Sequence, residues 1–348
     1  MNKVLVSEVL FAKGHVKLNE NYIKCIGRNF DVTIMDDGNY FPSIETNGYS
    51  HIYKSHYMVK RGETIKRLLY ALYLRKVAKT AKQLSIRNIV LLSFHTEAFG
   101  LVYRSFRGIN VCAVHHYDID RMTKRPQEVK AFDKYKNQIT HCVLEDFIAE
   151  GLINDFAVAS SRVCVVNTPV EIVKALEENS TKNIFIGIGQ STDQALIDEL
   201  IELDKSHYLP NDIIGKIILR SKTTQYDGIH VKVFTGFLER DEYDDLYKSA
   251  TACIVRYEPT YRLRSSGSVD DAFRNHKKII VMGFPAGQSY AQMFPRNCVC
   301  VNRTEDILDL LKGATLKYDE NEGARFETDH SFDNVTKQWK SAIVRNEY

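Results

Sequence analysis

Short runs of aliphatic and β-branched residues alternate with segments of helical spacing along almost the whole chain of 348 residues. This alternation constrains the fold more than any other feature, because strand–helix–strand units pack as parallel strands joined by right-handed helical crossovers. The strands predicted in the first half are Val4–Leu10, Phe30–Met35, Asn88–Leu92, Asn110–Val114, Gln138–Leu144 and Arg162–Val166. The first half is therefore predicted to form a doubly wound, Rossmann-like sheet.

The alternation stops at Asn167–Asn183, a polar and acidic stretch that contains Pro169, and then starts again. The strands predicted after it are Asn183–Ile188, Ile213–Leu219, Val231–Phe234, Ala252–Val255, Lys278–Met282 and Cys298–Val301. We therefore predict an α/β chain with two facing, doubly wound domains and a ligand-binding cleft between them. The predicted boundaries are residues 1–170 for the first domain, 171–182 for a linker, 183–322 for the second domain, and 323–348 for a C-terminal helix that packs back on the first domain.

Composition removes several classes of protein. An apolar fraction of 44% is too high for a disordered chain, and no apolar run reaches the roughly 18 residues of a membrane-spanning helix. The seven cysteines have no metal-ligand spacing, and the first residues have no cleavable signal pattern. These features predict a cytoplasmic protein with reduced thiols.

The net charge of +3 is unevenly distributed. Residues 54–87 contain ten basic residues and one acid, so this segment carries +9 and the rest of the chain −6. Within it, Glu63–Leu84 has the spacing of a helix with an apolar stripe and cationic faces, which include Lys66, Arg67, Arg75, Lys76 and Lys79. Such a helix is typical of contact with an anionic membrane surface. The alternative is a helix whose lysines only keep the domain soluble. No recognised nucleic-acid motif accompanies it, so no nucleic-acid partner is predicted.

The most informative segment for chemistry is Ala252–Met282, in which a predicted strand leads into a polar loop and then a helix. The loop holds Arg256, Arg262 and Arg264, and the helix opens at Ser265-Ser266-Gly267-Ser268. Backbone amides at a helix start bind anions, and arginines supply the charge that a diphosphate requires. This pattern indicates a diphosphate site. The alternative is a simple Ser266 N-cap with solvated arginines.

The same segment resembles the donor-binding segment of GT-B glycosyltransferases, most closely the large retaining family that uses nucleotide sugars (glycosyl transferases group 1). Gly267, the pair Asp271-Ala272, and Lys277–Ile280 stand where that family has its Gly, its acid–Ala pair and the start of its next strand. Val231–Asp241 resembles the strand and Gly turn that contact the nucleotide base, and Asn183–Gln190 resembles the first donor-domain strand. The resemblance extends over nearly the whole chain through individually loose motifs, and its strength is their order.

The resemblance implies roles for individual residues. The diphosphate and nucleotide would be bound by Ser266, Gly267, Ser268, Gly189, Gly236 and Phe237, and the ribose by Asp271. Arg262 and Arg264 are assigned to the diphosphate by their proximity alone, because the basic pair of the family has no match around Gly189. The family usually has two glutamates eight residues apart, and Asp271 replaces the second. Leu263 stands in place of the first, and the nearest acid is Glu258.

Histidines provide the candidate catalytic groups. Val111–Asp118 resembles the family's strand that ends in a histidine facing the donor, which makes His115 and His116 candidates. His95 follows another strand and is a candidate for acceptor binding or general base catalysis, because imidazole titrates near neutral pH. Gly14 and His15 resemble the loop beneath the acceptor. The alternative for each histidine is a loop position without a role. No metal or cofactor is predicted.

These features together predict a metal-independent hexosyltransferase, peripheral to the cytoplasmic face of the membrane. It would move a sugar from a nucleoside diphosphate sugar, a UDP-sugar being favoured, to a lipid-linked glycan acceptor in surface polysaccharide biosynthesis. Two alternatives stay open. The first is a non-catalytic GT-B-like subunit that stabilises an active partner, and the second is a nucleotide-sugar epimerase with the same fold.

Overall fold

The computed structural model describes residues 2–11, 13–36, 40–41, 44, 48–54, 62–174, 182–189, 194–257 and 259–345. The chain divides into two compact units. The first unit comprises Met1–Pro169, Leu263–Ser265 and Asp329–Tyr348, and the second comprises Val170–Arg262 and Ser266–Thr328. Most of the predicted linker and the acid Glu258 lie outside the described residues.

The elements of residues 1–169 alternate as predicted. They are β1 (Lys3–Glu8), α1 (Val16–Gly27), β2 (Asp31–Asp36), β3 (Ser50–Tyr53), α2 (Glu63–Gln83), β4 (Asn88–Ser93), α3 (Thr96–Val102), β5 (Asn110–Val114), α4 (Asp118–Met122), α5 (Pro126–Phe132), β6 (Thr140–Val143), α6 (Asp146–Phe156) and β7 (Val163–Val165). The described strands form one parallel sheet in the order β3-β2-β1-β4-β5-β6-β7. Every residue of β4 is buried, as expected for a central strand covered on both faces.

The remaining elements form a second α/β layer structure and a C-terminal helix. They are β8 (Ile184–Gly187), α7 (Gln194–Lys205), β9 (Lys216–Ser221), β10 (Tyr226–Asp227), β11 (Val231–Thr235), α8 (Arg240–Ser249), β12 (Ala252–Val255), α9 (Gly267–Arg274), β13 (Lys278–Met282), α10 (Pro285–Met293), β14 (Cys298–Val301), α11 (Thr304–Lys312), α12 (Glu320–His330) and α13 (Phe332–Val344). The sheet order is β10-β11-β9-β8-β12-β13-β14, and β10 is antiparallel to β11. The predicted α/β class with two doubly wound sheets is confirmed.

The C-terminal helix α13 belongs to the first unit and packs against α1. Trp339 is fully buried there, and its ring meets the ring of Tyr22 edge-on with centroids 5.2 Å apart. The indole is large enough that its burial contributes strongly to holding this helix in place. Among the described residues, no helix is both long enough and apolar enough to cross a membrane.

Candidate functional site

The second sheet reverses its strand order at β8, which lies between β9 and β12. Helices therefore leave the two sides of β8 in opposite directions, and a crevice opens at the carboxyl ends of these strands. Ligands of doubly wound sheets bind in such crevices. Gly189 follows β8 closely, Arg256 comes directly after β12, and α9 begins eleven residues after Arg256.

Ser266 is the N-cap of α9. Its Oγ accepts a hydrogen bond from the amide of Val269 at 3.3 Å and lies 2.8 Å from the Oη of Tyr257. The amide of Ser266 donates to the Oη of Tyr290 at 2.9 Å, so this amide is occupied within the protein. The next two amides, of Gly267 and Ser268, belong to the first turn, where backbone N–H groups have no partner within the helix. Free N–H groups at the start of a helix are able to bind an anion.

Gly189 touches the start of the same helix. A Cβ at residue 189 would overlap the Oγ of Ser268, so a larger residue there would require this hydroxyl to move. Gly189 and Ser268 are therefore close together at the carboxyl end of β8.

Arg256 directly follows the last residue of β12, and only 2% of its surface is exposed. Its Nη2 donates to the carbonyl of Arg220 at 3.2 Å and lies 3.5 Å from the carbonyl of Gly187. The guanidinium therefore lies at the carboxyl ends of β8, β9 and β12. The sequence placed Arg256 among the loop arginines without distinguishing it, because burial depends on strand neighbours that are distant in the chain.

The other two loop arginines differ in environment. Arg262 is exposed, whereas the Nε of Arg264 donates to the Oδ2 of Asp120 at 2.7 Å. The Oδ1 of Asp120 accepts the amide of Leu263, also at 2.7 Å. Asp120 therefore anchors residues 263–265, the short segment that belongs to the first unit. Leu263 itself is buried in the core of that unit, where it packs against Gly151.

The remaining nucleotide candidates lie on the second unit. Asp271 is half-buried in α9 and accepts a hydrogen bond from the Oη of Tyr243 at 2.9 Å. Gly236 has a φ of +92°, which favours glycine, and it turns the chain directly after β11. Phe237 is 88% exposed, and the guanidinium of Arg220 lies 4.6 Å from its ring centroid. An exposed aromatic ring of this kind offers a stacking surface.

In the first unit, His115 lies at the centre of a buried network. Its Nδ1 is 2.6 Å from Asp118 Oδ2, and its Nε2 is 2.8 Å from His141 Nδ1. The Nε2 of His141 lies 2.7 Å from the carbonyl of Lys136, which can only accept, so His141 donates there. Burial lowers the pKa of His141 to about 3, so this ring is neutral and its Nδ1 accepts from His115.

The charge of this network follows from the same hydrogen bonds. Burial of Asp118 opposes its ionisation, but the charge and hydrogen bond of His115 outweigh burial, and the pKa of Asp118 is lowered. Asp118 is therefore a carboxylate and accepts the hydrogen bond from the Nδ1 of His115. His115 is 1% exposed and bound on both sides. His115 therefore serves to position Asp118 and His141.

His116, the next residue, has one unprotonated ring nitrogen. Its Nε2 donates to the carbonyl of Leu92 at 2.8 Å, and burial lowers its pKa to about 3, so the ring is neutral with a lone pair on Nδ1. The ring of His15 packs on it with centroids 4.2 Å apart. Gly14 next to His15 is exposed. The structure thus brings His15 and His116 together at the carboxyl ends of β1 and β5.

His95 caps a helix. Its Nδ1 accepts the amide of Ala98 at 3.4 Å at the start of α3, and burial lowers its pKa to about 4. Its ring stacks on Tyr70 with centroids 5.6 Å apart. These contacts account for the position of His95 by local structure.

Glu8 is a buried carboxyl that the sequence analysis missed. It is 0% exposed at the end of β1, and Oε1 accepts the amides of Leu10 and Phe11, each at 3.0 Å. Its Oε2 accepts from Asn19 at 2.9 Å, and the hydroxyl of Ser93 donates to Oε1. Burial raises the pKa of Glu8 to about 7 in spite of these hydrogen bonds. A glutamate within a run of apolar residues was the sequence signal that could have indicated a buried carboxyl.

The predicted membrane-facing cations divide into two groups. Lys66 pairs with Glu63 at 3.1 Å and Arg67 with Glu97 at 3.0 Å, whereas Arg75, Lys76 and Lys79 are exposed on α2. Lys60 and Arg61, which the sequence counted in this segment, lie outside the described residues. In the described part of the chain, no group of three or more His, Cys, Asp and Glu side chains could hold a metal ion.

Known structures share this architecture. No family model matches the chain, and no curated protein sequence matches it significantly. The chain is similar to sucrose-phosphate synthase from Thermosynechococcus elongatus, with a TM-score of 0.68, 10% identity and 98% of both chains covered. A lipopolysaccharide outer core galactosyltransferase in its apo form gives 0.64, 11% and 99% of both chains. The UDP-GlcNAc 2-epimerase from Neisseria meningitidis bound to UDP-GlcNAc gives 0.57 and 11%, over 99% of this chain and all of its own. The predicted GT-B fold is confirmed.

Proposed function

We propose that this protein is a glycosyltransferase that moves a sugar from a nucleoside diphosphate sugar to a glycan acceptor. The observation that carries the proposal is the start of α9 at the reversal of the second sheet, where the first-turn amides of Gly267 and Ser268 lie beside Gly189. The similarity to a galactosyltransferase supports sugar transfer. A UDP-sugar is our preferred donor, and the neighbour bound to UDP-GlcNAc supports this choice.

In the proposed reaction the bond between the anomeric carbon and the diphosphate oxygen breaks, and a bond to an acceptor hydroxyl oxygen forms. The amides of Gly267 and Ser268 and the guanidinium of Arg256 would stabilise the charge of the leaving diphosphate, which is the main source of rate enhancement we propose. Arg262 and Arg264 would add charge, Asp271 would bind the ribose hydroxyls, and Phe237 would stack on the base.

The first unit would bind the acceptor. The departing diphosphate would take up the proton of the acceptor hydroxyl, and His115 with Asp118 would hold the turn that carries His116 beside that hydroxyl. We propose a hexosyl donor, no resident metal, and a lipid-linked acceptor destined for a surface polysaccharide. The exposed cations Arg75, Lys76 and Lys79 support work at the cytoplasmic face of a membrane.

An epimerase is the second candidate, because one structural neighbour is a UDP-GlcNAc 2-epimerase. An epimerase would interconvert two nucleotide sugars without any acceptor, and it would release no free nucleoside diphosphate during that interconversion. Incubation of the purified protein with UDP-sugars, followed by chromatography of the nucleotides, separates the two reactions.

Nucleotide binding is the first property to test. We expect one of UDP, GDP, CMP and dTDP to raise the melting temperature, since ligand at about 100 times its dissociation constant adds roughly 2.7 kcal/mol of stability. Phe237→Ala and Asp271→Ala should reduce this shift, whereas Ile214→Ala, at a residue 66% exposed on the same unit, should not. Absence of any shift would contradict the donor site and favour a non-catalytic GT-B-like subunit.

A further inference from the structure

The outward face of α2 changes its chemistry halfway along the helix. Its first half presents Ile65, Leu68 and Leu72, which are 42%, 51% and 55% exposed. Its second half presents the exposed cations Arg75, Lys76, Lys79 and Lys82. At 3.6 residues per turn, these side chains fall within one sector about 120° wide, and each half is about 10 Å long.

The opposite face of α2 explains why the apolar half is exposed. Residues Ala71, Leu74, Ala78 and Ala81 are buried and pack into the core of the first unit. The core contact is thus satisfied without Ile65, Leu68 and Leu72. Large apolar side chains grouped on an exposed face mark an interaction site more often than isolated ones do.

A groove of about 660 Å³ lies at the junction of the two halves. Leu69, Leu72 and Tyr73 provide apolar lining, and the four cations of the second half line the rest, near Ser105. No described carboxylate pairs with any of these four cations. The groove has the volume of a ligand site, roughly 300–1,000 Å³, and one end is apolar while the other is positive.

We propose that this groove binds one anionic phospholipid of a membrane surface, with the phosphate on Arg75, Lys76, Lys79 and Lys82 and an acyl chain along Leu72 and Leu68. Charge complementarity selects the phosphate, and the exposed leucines select a chain attached to it. A free phosphate would leave the leucines in water. The inference gives a ligand and a binding orientation to the membrane contact in the proposed function, on which it rests.

The test is co-sedimentation with vesicles of phosphatidylcholine, with or without phosphatidylglycerol. We expect the protein to bind the mixed vesicles and not pure phosphatidylcholine. Lys76→Gln with Lys79→Gln should weaken binding about 30-fold, since each basic residue near an anionic surface contributes about a factor of five. The matched control, Lys130→Gln with Lys134→Gln, removes the same charge at two exposed lysines on other elements and should bind like wild type.

The apolar half separates a lipid site from a general electrostatic attraction. Leu68→Gln with Leu72→Gln keeps the net charge and should weaken binding at least about tenfold, whereas Ile214→Gln should not. Leu72→Ala provides a milder variant if the double variant fails to fold. Binding that depends on the lysines but not on the leucines overturns the proposal, as does an equal loss of binding in the lysine control or complete competition by inorganic phosphate.

The outcomes remain distinct from those of the proposed function. The lipid assay needs no nucleotide, and the α2 variants should keep the nucleotide-induced shift in melting temperature. Lipid binding without nucleotide binding would contradict sugar transfer and leave the lipid site intact. Nucleotide binding without lipid binding would contradict the lipid site and leave the proposed sugar transfer intact.

Discussion

The Nδ1 of His115 lies 2.6 Å from the Oδ2 of Asp118, and both side chains are buried at the end of β5. The second oxygen of Asp118 accepts the amide of His116 at 3.1 Å. One carboxylate therefore binds the ring of His115 and also fixes the backbone of His116. This arrangement makes Asp118 a determinant of where His116 points.

The first prediction concerns this pair. Asp118→Asn removes the buried carboxylate that accepts from the ring of His115 and from the amide of His116, and we expect a loss of about 3 kcal/mol in the free energy of unfolding at pH 7. Because the folded pKa of Asp118 is lowered, its contribution is present above the unfolded pKa of about 3.8 and is lost as pH falls through the folded pKa. Urea unfolding at several pH values should show the two proteins converging in acid.

Asp333→Asn is the matched control. Asp333 pairs with Arg28, but the two side chains are 83% and 49% exposed, and such pairs contribute little. If Asp118→Asn unfolds at the same urea concentration as this control, the buried pair does not stabilise the turn.

The second prediction concerns the pH dependence that Glu8 imposes. Its folded pKa of about 7 exceeds its ordinary value of 4.5, because the buried site favours the protonated form. Its contribution to stability is therefore full below pH 4.5 and is lost as pH rises to about 7. Glu8→Gln should remove this decline, which urea unfolding at pH 5 and pH 8 measures. Glu63→Gln, at an exposed residue, should keep it.

The third prediction tests the close approach of Gly189 to Ser268. Gly189→Ala should displace the side chain of Ser268 and reduce nucleotide binding, because its Cβ would overlap the Oγ of Ser268. Adding Ser268→Ala removes that oxygen and should restore part of the loss. Gly313→Ala, on the same unit and outside the proposed site, is the control, because its Cβ would come no closer than 3.4 Å to any atom. Equal effects of the two glycine substitutions would contradict the steric explanation.

The fourth prediction concerns Leu263, which stands where the resembled family has a glutamate. Leu263 is 5% exposed in the core of the first unit. Leu263→Ala should cost about 3 kcal/mol of unfolding free energy by leaving a cavity, and Leu263→Glu should cost more because it buries an unpaired charge. Leu263→Met should be nearly neutral. A stable Leu263→Glu protein that gains activity would show that this position can serve the donor site.

The strand pattern predicted most of the fold, and its errors have physical causes. Asn110–Val114, Ala252–Val255, Lys278–Met282 and Cys298–Val301 match the observed strands residue for residue. These strands are short apolar runs between polar segments. The sequence missed β3 (Ser50–Tyr53) and β10 (Tyr226–Asp227). Both lie at sheet edges, where partial exposure removes the apolar signal.

The helix α2 shows a different limit. Its spacing predicted an apolar stripe at Ile65, Leu68, Leu69 and Leu72, widened by Tyr70, Tyr73 and Leu74. Tyr73 and Leu74 are buried together with Ala71 and Ala78, whereas Ile65, Leu68 and Leu72 are exposed. Small alanines allow close packing without a strong apolar signal, so periodicity alone favoured the larger leucines. Lys66 pairs with Glu63, three residues away, which helical spacing could indicate. Arg67 pairs with Glu97, which only the tertiary structure brings close.

The sequence by itself determined the α/β class, the two doubly wound sheets and the helix start at Ser266, because each depends on residues close together in the chain. Only the tertiary structure decided which polar groups share a site. It buried Arg256 under three strand ends, gave Arg264 to Asp120, joined His115 to His141, and left the leucines of α2 exposed. These relationships join residues up to 144 positions apart, and long-range packing sets burial, charge and pKa in ways that no local pattern encodes.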